Sequence, residues 1–166
     1  VPGAVATAFI KGSTLQRIRK PGVEEYCQLL YNRLSGKTIY PNPKLTLTQN
    51  TFYSLLQPED AEDLLCMWLY EENGYICIPS TNKNSTPEYE CVLIDPNPEK
   101  QKHIYIQVKK GNIDLDFKEY QDLNGDVYLF TTEGCVSNIE AVQNIYAVDP
   151  KELFEFAVDP ENHHLL

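Results

Sequence analysis

No apolar run approaches the length of a membrane-spanning helix, and the N-terminus shows no signal-peptide pattern, so no membrane partner is expected. The chain contains no P-loop, no dinucleotide-binding glycine pattern, no HExxH and no GxSxG. Those absences remove the nucleotide-binding, zinc-peptidase and serine-hydrolase readings. Cysteine is sparse: Cys27, Cys66, Cys77, Cys91 and Cys135, with no CxxC and no Cys/His spacing. Their odd number and wide spread predict free buried thiols in a reducing cytoplasm rather than zinc ligands. Among the three histidines, His163 and His164 have no partner motif and receive no role. The single tryptophan, Trp68, and the tyrosines sit at core spacings, which points to packing rather than base stacking.

What remains is a chain of 166 residues, enough for one domain with a real core and a small extension. It starts at Val1 rather than Met, so it is expected to be a piece of a longer protein. The net charge is −10 and unevenly spread. Residues 1–44 hold seven Lys/Arg and two Glu, or +5; residues 45–166 hold seven Lys/Arg and 22 Asp/Glu, or −15. An acidic surface repels phosphate, so the basic N-terminal part or a neighbouring domain must handle any nucleic acid.

Residues 1–57 read as a basic extension with one amphipathic helix. That helix covers 22–34, with Val23, Tyr26, Cys27, Leu30 and Leu34 on one face and Gly36 as its stop. Residues 37–56 read as loop with one short strand. Pro58, Glu59 and Asp60 open a second helix, striped by Ala61, Leu64, Leu65, Trp68 and Leu69 and stopped by Gly74. Strands are expected at 75–79, 88–95, 103–111, 126–132 and 143–148, with a short helix at 114–123. Asp149-Pro150-Lys151-Glu152 is a capping box opening a last helix to about Val158, and 159–166 is a frayed tail. The order predicts an α/β sandwich over 58–158, with a mixed central sheet flanked by helices and an early antiparallel hairpin.

That hairpin carries the chemistry. EYECVLID at 88–95 and HIYIQVKKG at 103–111 flank the turn-rich DPNPEKQK. A turn centred between Pro98 and Glu99 pairs residues whose numbers sum to 197. Glu90 then faces Gln107, and Glu88 faces Lys109, all on one side of the pleat. The other side carries Tyr89, Cys91, Leu93, Ile104, Ile106 and Val108, which is core. Asp95 has the opposite parity to Glu90 and reads as a turn residue. Two carboxylates, an amide and a lysine at the end of buried strands are costly unless paired or holding a metal. As a cross-strand ion pair alone, Glu90 or Glu88 with Lys109 is worth roughly 0.2–1 kcal/mol.

Gln107-Val108-Lys109, an acid on the preceding strand and a helix ending at Gly74-Tyr75 together resemble the PD-(D/E)XK superfamily of restriction-endonuclease-like nucleases. Within it the chain is most similar to Mrr-type endonucleases, whose lysine motif is often Gln-x-Lys. The resemblance covers roughly 58–158 in element order. It implies hydrolysis of DNA phosphodiesters with Mg2+ or Mn2+, and a cytoplasmic role in restriction or phage defence. It also implies a first-strand carboxylate as metal ligand, here Glu90, with Glu88 as the other candidate because it follows Pro87. Gln107 would offer its carbonyl to the metal, and Lys109 would position water and offset transition-state charge.

Family members often add a Glu from the helix before the sheet. On a wheel of about 100° per residue with Ala61 at zero, Glu62 falls on the edge of the apolar stripe and Asp63 in solvent. Glu62 is therefore the choice, and Glu24 on the first helix is its rival. Lys110 has the opposite parity to Lys109 and is assigned to a phosphate or surface contact. The family's usual Asp is Glu here and its usual acid before x-Lys is Gln. Those departures keep a second function open: a catalytically inactive module of the same fold, binding nucleic acid or protein within a larger chain. The expected partners are DNA and another domain or subunit of the parent protein.

Overall fold

A computed structural model of the chain describes residues 20–40, 47–78, 89–100, 102–138 and 143–159. Among the described residues, four α-helices follow the apolar stripes. Helix α1 spans Val23–Ser35, α2 Gln49–Leu55, α3 Pro58–Asn73 and α4 Pro150–Val158. Seven strands are β1 (Ile76–Cys77), β2 (Cys91–Ile94), β3 (His103–Lys109), β4 (Leu115–Asp116), β5 (Asp126–Thr131), β6 (Val136–Ser137) and β7 (Ile145–Ala147). A 3-10 turn at Phe117–Tyr120 follows β4.

The main sheet is mixed and runs β1-β2-β3-β5-β7. β1, β2 and β3 are antiparallel neighbours, whereas β3, β5 and β7 are parallel. Pairs such as Cys91↔Ile106 and Ile94↔His103 place the hairpin in the expected register. Asp95 closes its turn by accepting from Asn97 N–H at 2.9 Å, an Asx turn.

One face of the sheet carries Cys91, Leu93, Ile104, Ile106, Val108 and Phe130, which share one apolar cluster with all four helices. The other face carries Val127, Leu129 and Ile145, covered by Leu115, Phe117 and Tyr120 from the crossover between β3 and β5. β4 and β6 pair in parallel as a small second sheet beside that crossover. The expected helix at 114–123 is thus a short strand and a single 3-10 turn, because Asp116 caps Lys118 N–H and the segment is too brief to propagate.

The segment 37–56, expected as loop with a strand, instead holds α2. Thr48 and Thr51 cap each other reciprocally, Thr51 N–H to Thr48 Oγ1 at 3.3 Å and Thr48 N–H to Thr51 Oγ1 at 3.0 Å. Phe52, Tyr53, Leu55 and Leu56 are buried in the main cluster, as are Val23, Tyr26 and Leu29 of α1. Packing therefore runs across residue 57, and α1, Leu47 and α2 contribute to the core rather than forming an appended extension. The reason is burial: Val23, Tyr26 and Leu29 of α1 and Phe52, Tyr53 and Leu55 of α2 are closed from solvent, although Leu34 at the end of the α1 stripe stays exposed. Asp149 caps α4 by accepting from Lys151 N–H at 2.8 Å. Most of the basic N-terminal stretch, residues 79–88 and residues 160–166 lie outside the described residues.

Candidate active site

β3 brings the site together because strand period 2 puts Gln107 and Lys109 on one face. Their parallel partners on β5 are Leu129 and Thr131. Glu90 immediately precedes β2, tied to β3 by its own N–H donating to Ile106 C=O at 2.8 Å. Both Gln107 Nε2 and Lys109 Nζ donate to Glu90 Oε1, each at 2.9 Å. Gln107 is 1% exposed, while the side chains of Lys109 and Glu90 are 34% and 20% exposed. The cluster is thus sealed at the amide and open at the charges.

Gln107 Oε1 is buried and has no hydrogen-bond partner among the described residues. An orphaned amide oxygen costs about 1–3 kcal/mol, so it marks a place where another group is expected.

Glu62 joins from α3. β1 pairs only with the Leu93 end of β2, and Ile78 N–H reaches Val92 C=O, so β1 stops short of Glu90. Half-buried Glu62 interacts electrostatically with both Glu90 and Lys109. Its pKa is pushed up to about 7, first by burial, then by the charges of Glu90, Glu59 and Asp63, with Lys109 opposing. The rival, Glu24, is exposed and takes its 3.3 Å hydrogen bond from Gln28 on its own helix. Glu88 lies outside the described residues.

Three placements differ from the sequence reading. Lys110 donates to Leu56 C=O at the end of α2, so it ties helix to strand and is not a free phosphate contact. Tyr89 precedes β2 and has left the pleat; its ring packs on Tyr105 at 5.0 Å between centroids, on the opposite face from Cys91. Cys135 is exposed, and Cys66, Cys77 and Cys91 gather in one cluster instead of being scattered thiols.

Sequence reasoning also missed Tyr120. Its phenol is pushed up to about 12 by burial and by the charges of Glu119 and Glu90, which places it beside the cluster. No spacing signals this, because Tyr120 arrives through the crossover. That crossover is pinned behind Lys109 by Thr131 Oγ1, which donates to Ile113 C=O at 2.9 Å and accepts from Gly134 N–H at 3.1 Å. A Cβ on Gly134 would sit 2.1 Å from Ile113 O, so only glycine permits this approach.

Glu90, Glu62 and Gln107 offer only oxygen donors, with Lys109 alongside, a set that suits a hard divalent cation. The buried Gln107 Oε1, without a partner among the described residues, and the raised pKa of Glu62 are the two observations that fit such an ion. Comparisons with protein-family models, curated proteins and solved structures return no match. Among the described residues, no helix is long and apolar enough to cross a membrane.

Proposed function

We propose that this chain carries a restriction-endonuclease-like nuclease domain that hydrolyses DNA phosphodiesters with Mg2+ or Mn2+. One observation carries the reading: the buried Gln107 Oε1, without a partner among the described residues, on a side chain that donates to a Glu90 already bound to Lys109. The element order supports it, with a helix, an antiparallel three-strand meander and a crossover to a parallel strand.

Glu90, Glu62 and Gln107 Oε1 are the groups that would hold the ion. When bound, the ion supplies Lewis acidity to the phosphate and to water. Glu62, whose carboxyl is pushed up to about 7, would bind the ion only in its ionised form. Gln107, fixed by burial, orients Glu90 through its amide N–H. Lys109, half-exposed at the strand end, faces the solvent side where DNA and water arrive, and offsets negative charge as the phosphate is attacked. The half-buried state of the site limits competing water on the Gln107 side.

A second reading, an inactive module of the same fold, is favoured by the Glu90–Lys109 contact itself, which neutralises both charges without an ion. A plasmid-nicking assay separates them. The nuclease reading expects cleavage in Mg2+ or Mn2+, none in chelator, and loss in Glu90→Ala. A correctly folded wild-type chain that leaves plasmid intact with either ion, alone and with its parent protein's other domains, would favour the inactive module.

A further inference from the structure

We infer that Cys66, Cys77 and Cys91 form a binding site for a thiophilic d10 cation, Zn2+ or Cu+, separate from the carboxylate centre. The three residues come from three elements, α3, β1 and β2. Their Sγ atoms all lie within 4.8 Å of one another, and those of Cys66 and Cys91 are 3.5 Å apart. Metal–sulfur bonds of about 2.3 Å put sulfurs around a tetrahedral ion about 3.8 Å apart. The cluster therefore needs only small side-chain adjustments to take an ion. Three thiols select a soft cation over Mg2+ or Mn2+, just as the oxygen donors around Gln107 do the reverse.

The site has a closed side and an entry. Cys91 is 2% exposed against the core, while Cys66 and Cys77 are half-buried, with Cys77 on the edge strand of the sheet. Binding breaks three S–H bonds, releases three protons to solvent and forms three metal–sulfur bonds, with no change of oxidation state. Asp63, one turn before Cys66, interacts electrostatically with both Cys66 and Cys77. That carboxylate or a water completes a four-coordinate shell. The ion would clamp α3 and β1 to β2 at the residue next to Glu90. The site stands whether or not the carboxylate centre is a nuclease.

The test uses the whole reduced, metal-free chain, titrated with Co2+ and then Zn2+, and separately with Cu+ against a chromophoric chelator. One equivalent per chain is expected, with a thiolate-to-cobalt charge-transfer band that Zn2+ bleaches. Cys66→Ser and Cys77→Ser should each weaken binding by at least ~100-fold. The exposed Cys135→Ser should bind as wild type. Cys77→Ser decides if buried Cys91→Ser does not fold. No charge-transfer band, or wild-type affinity in Cys77→Ser, overturns the site. So does an affinity lost in Glu90→Gln but kept in the cysteine variants. A Cys66–Cys91 disulfide formed in air by a protein that binds neither ion would make the cluster redox-active instead.

Discussion

At Glu62 a proton and a cation compete for one carboxylate. Its pKa of about 7 in the folded protein lies above that of a free carboxyl, so the native state holds this proton more tightly than the unfolded chain does. The resulting stabilisation is full below the ordinary carboxylate range and is lost as pH rises toward 7. Glu62→Gln never ionises. In metal-free protein it should therefore melt higher than wild type at pH 8, by roughly 2–4 °C for about 1 kcal/mol remaining after solvent screening. At pH 5 the two should nearly coincide. Saturating Mn2+ should reverse the order at pH 8, since only wild type keeps the ligand. Melting curves at the two pH values decide; a gap that ignores pH would show that Glu62 does not carry a perturbed proton. Glu62 is legible in the sequence because a helical wheel needs only the stripe of Ala61, Leu64 and Leu65. Tyr120 and the three gathered cysteines are not, because each reaches its neighbours through tertiary packing between separate elements.

α2 is the element that changes how the chain is divided. Its signals, Thr48 with Thr51 and then Phe52, Leu55 and Leu56, are present in the sequence but short, and Pro58 follows so closely that the run resembles a linker. Tyr53 is 1% exposed, and its hydroxyl donates to Pro150 C=O at 2.6 Å, joining α2 to the start of α4. Leu55→Ala should cost about 2–5 kcal/mol, as for any fully buried leucine. Tyr53→Phe should cost about 1 kcal/mol by leaving the Pro150 carbonyl without its donor. Urea unfolding should stay a single transition in both. A loss well under 1 kcal/mol for Leu55→Ala, or a separate early transition, would return α2 to the status of an appended segment. The hairpin register over Cys91–Ile94, by contrast, is legible. Eight turn-rich residues between two alternating runs leave one pairing that buries Cys91, Leu93, Ile104 and Ile106 together. β4 and β6, two residues each, are too short to carry any period.

At the scale of the whole molecule, charge opposes the proposed substrate. Residues 45–166 carry −15 and residues 1–44 carry +5. Duplex DNA binding by this chain alone should be weak at physiological salt, and removing residues 1–21 should weaken it further and flatten its salt dependence. A salt titration of binding with and without that segment measures both; tight, salt-insensitive binding by the shortened chain would reveal a groove that net charge conceals. The α/β class and its mixed sheet follow from element order alone. The support for the proposed metal chemistry does not, because it rests on a buried oxygen left without a partner among the described residues. The most direct measurement of the central claim is the single-turnover cleavage rate of Lys109→Ala in saturating Mg2+ or Mn2+, taken beside its melting temperature. Lys109 is partly exposed at a strand end, so its loss should leave the fold nearly unchanged while the rate falls about 10²–10³-fold. A melting temperature that collapses, with activity merely following the folded fraction, would make Lys109 a structural partner of Glu90 and contradict the account.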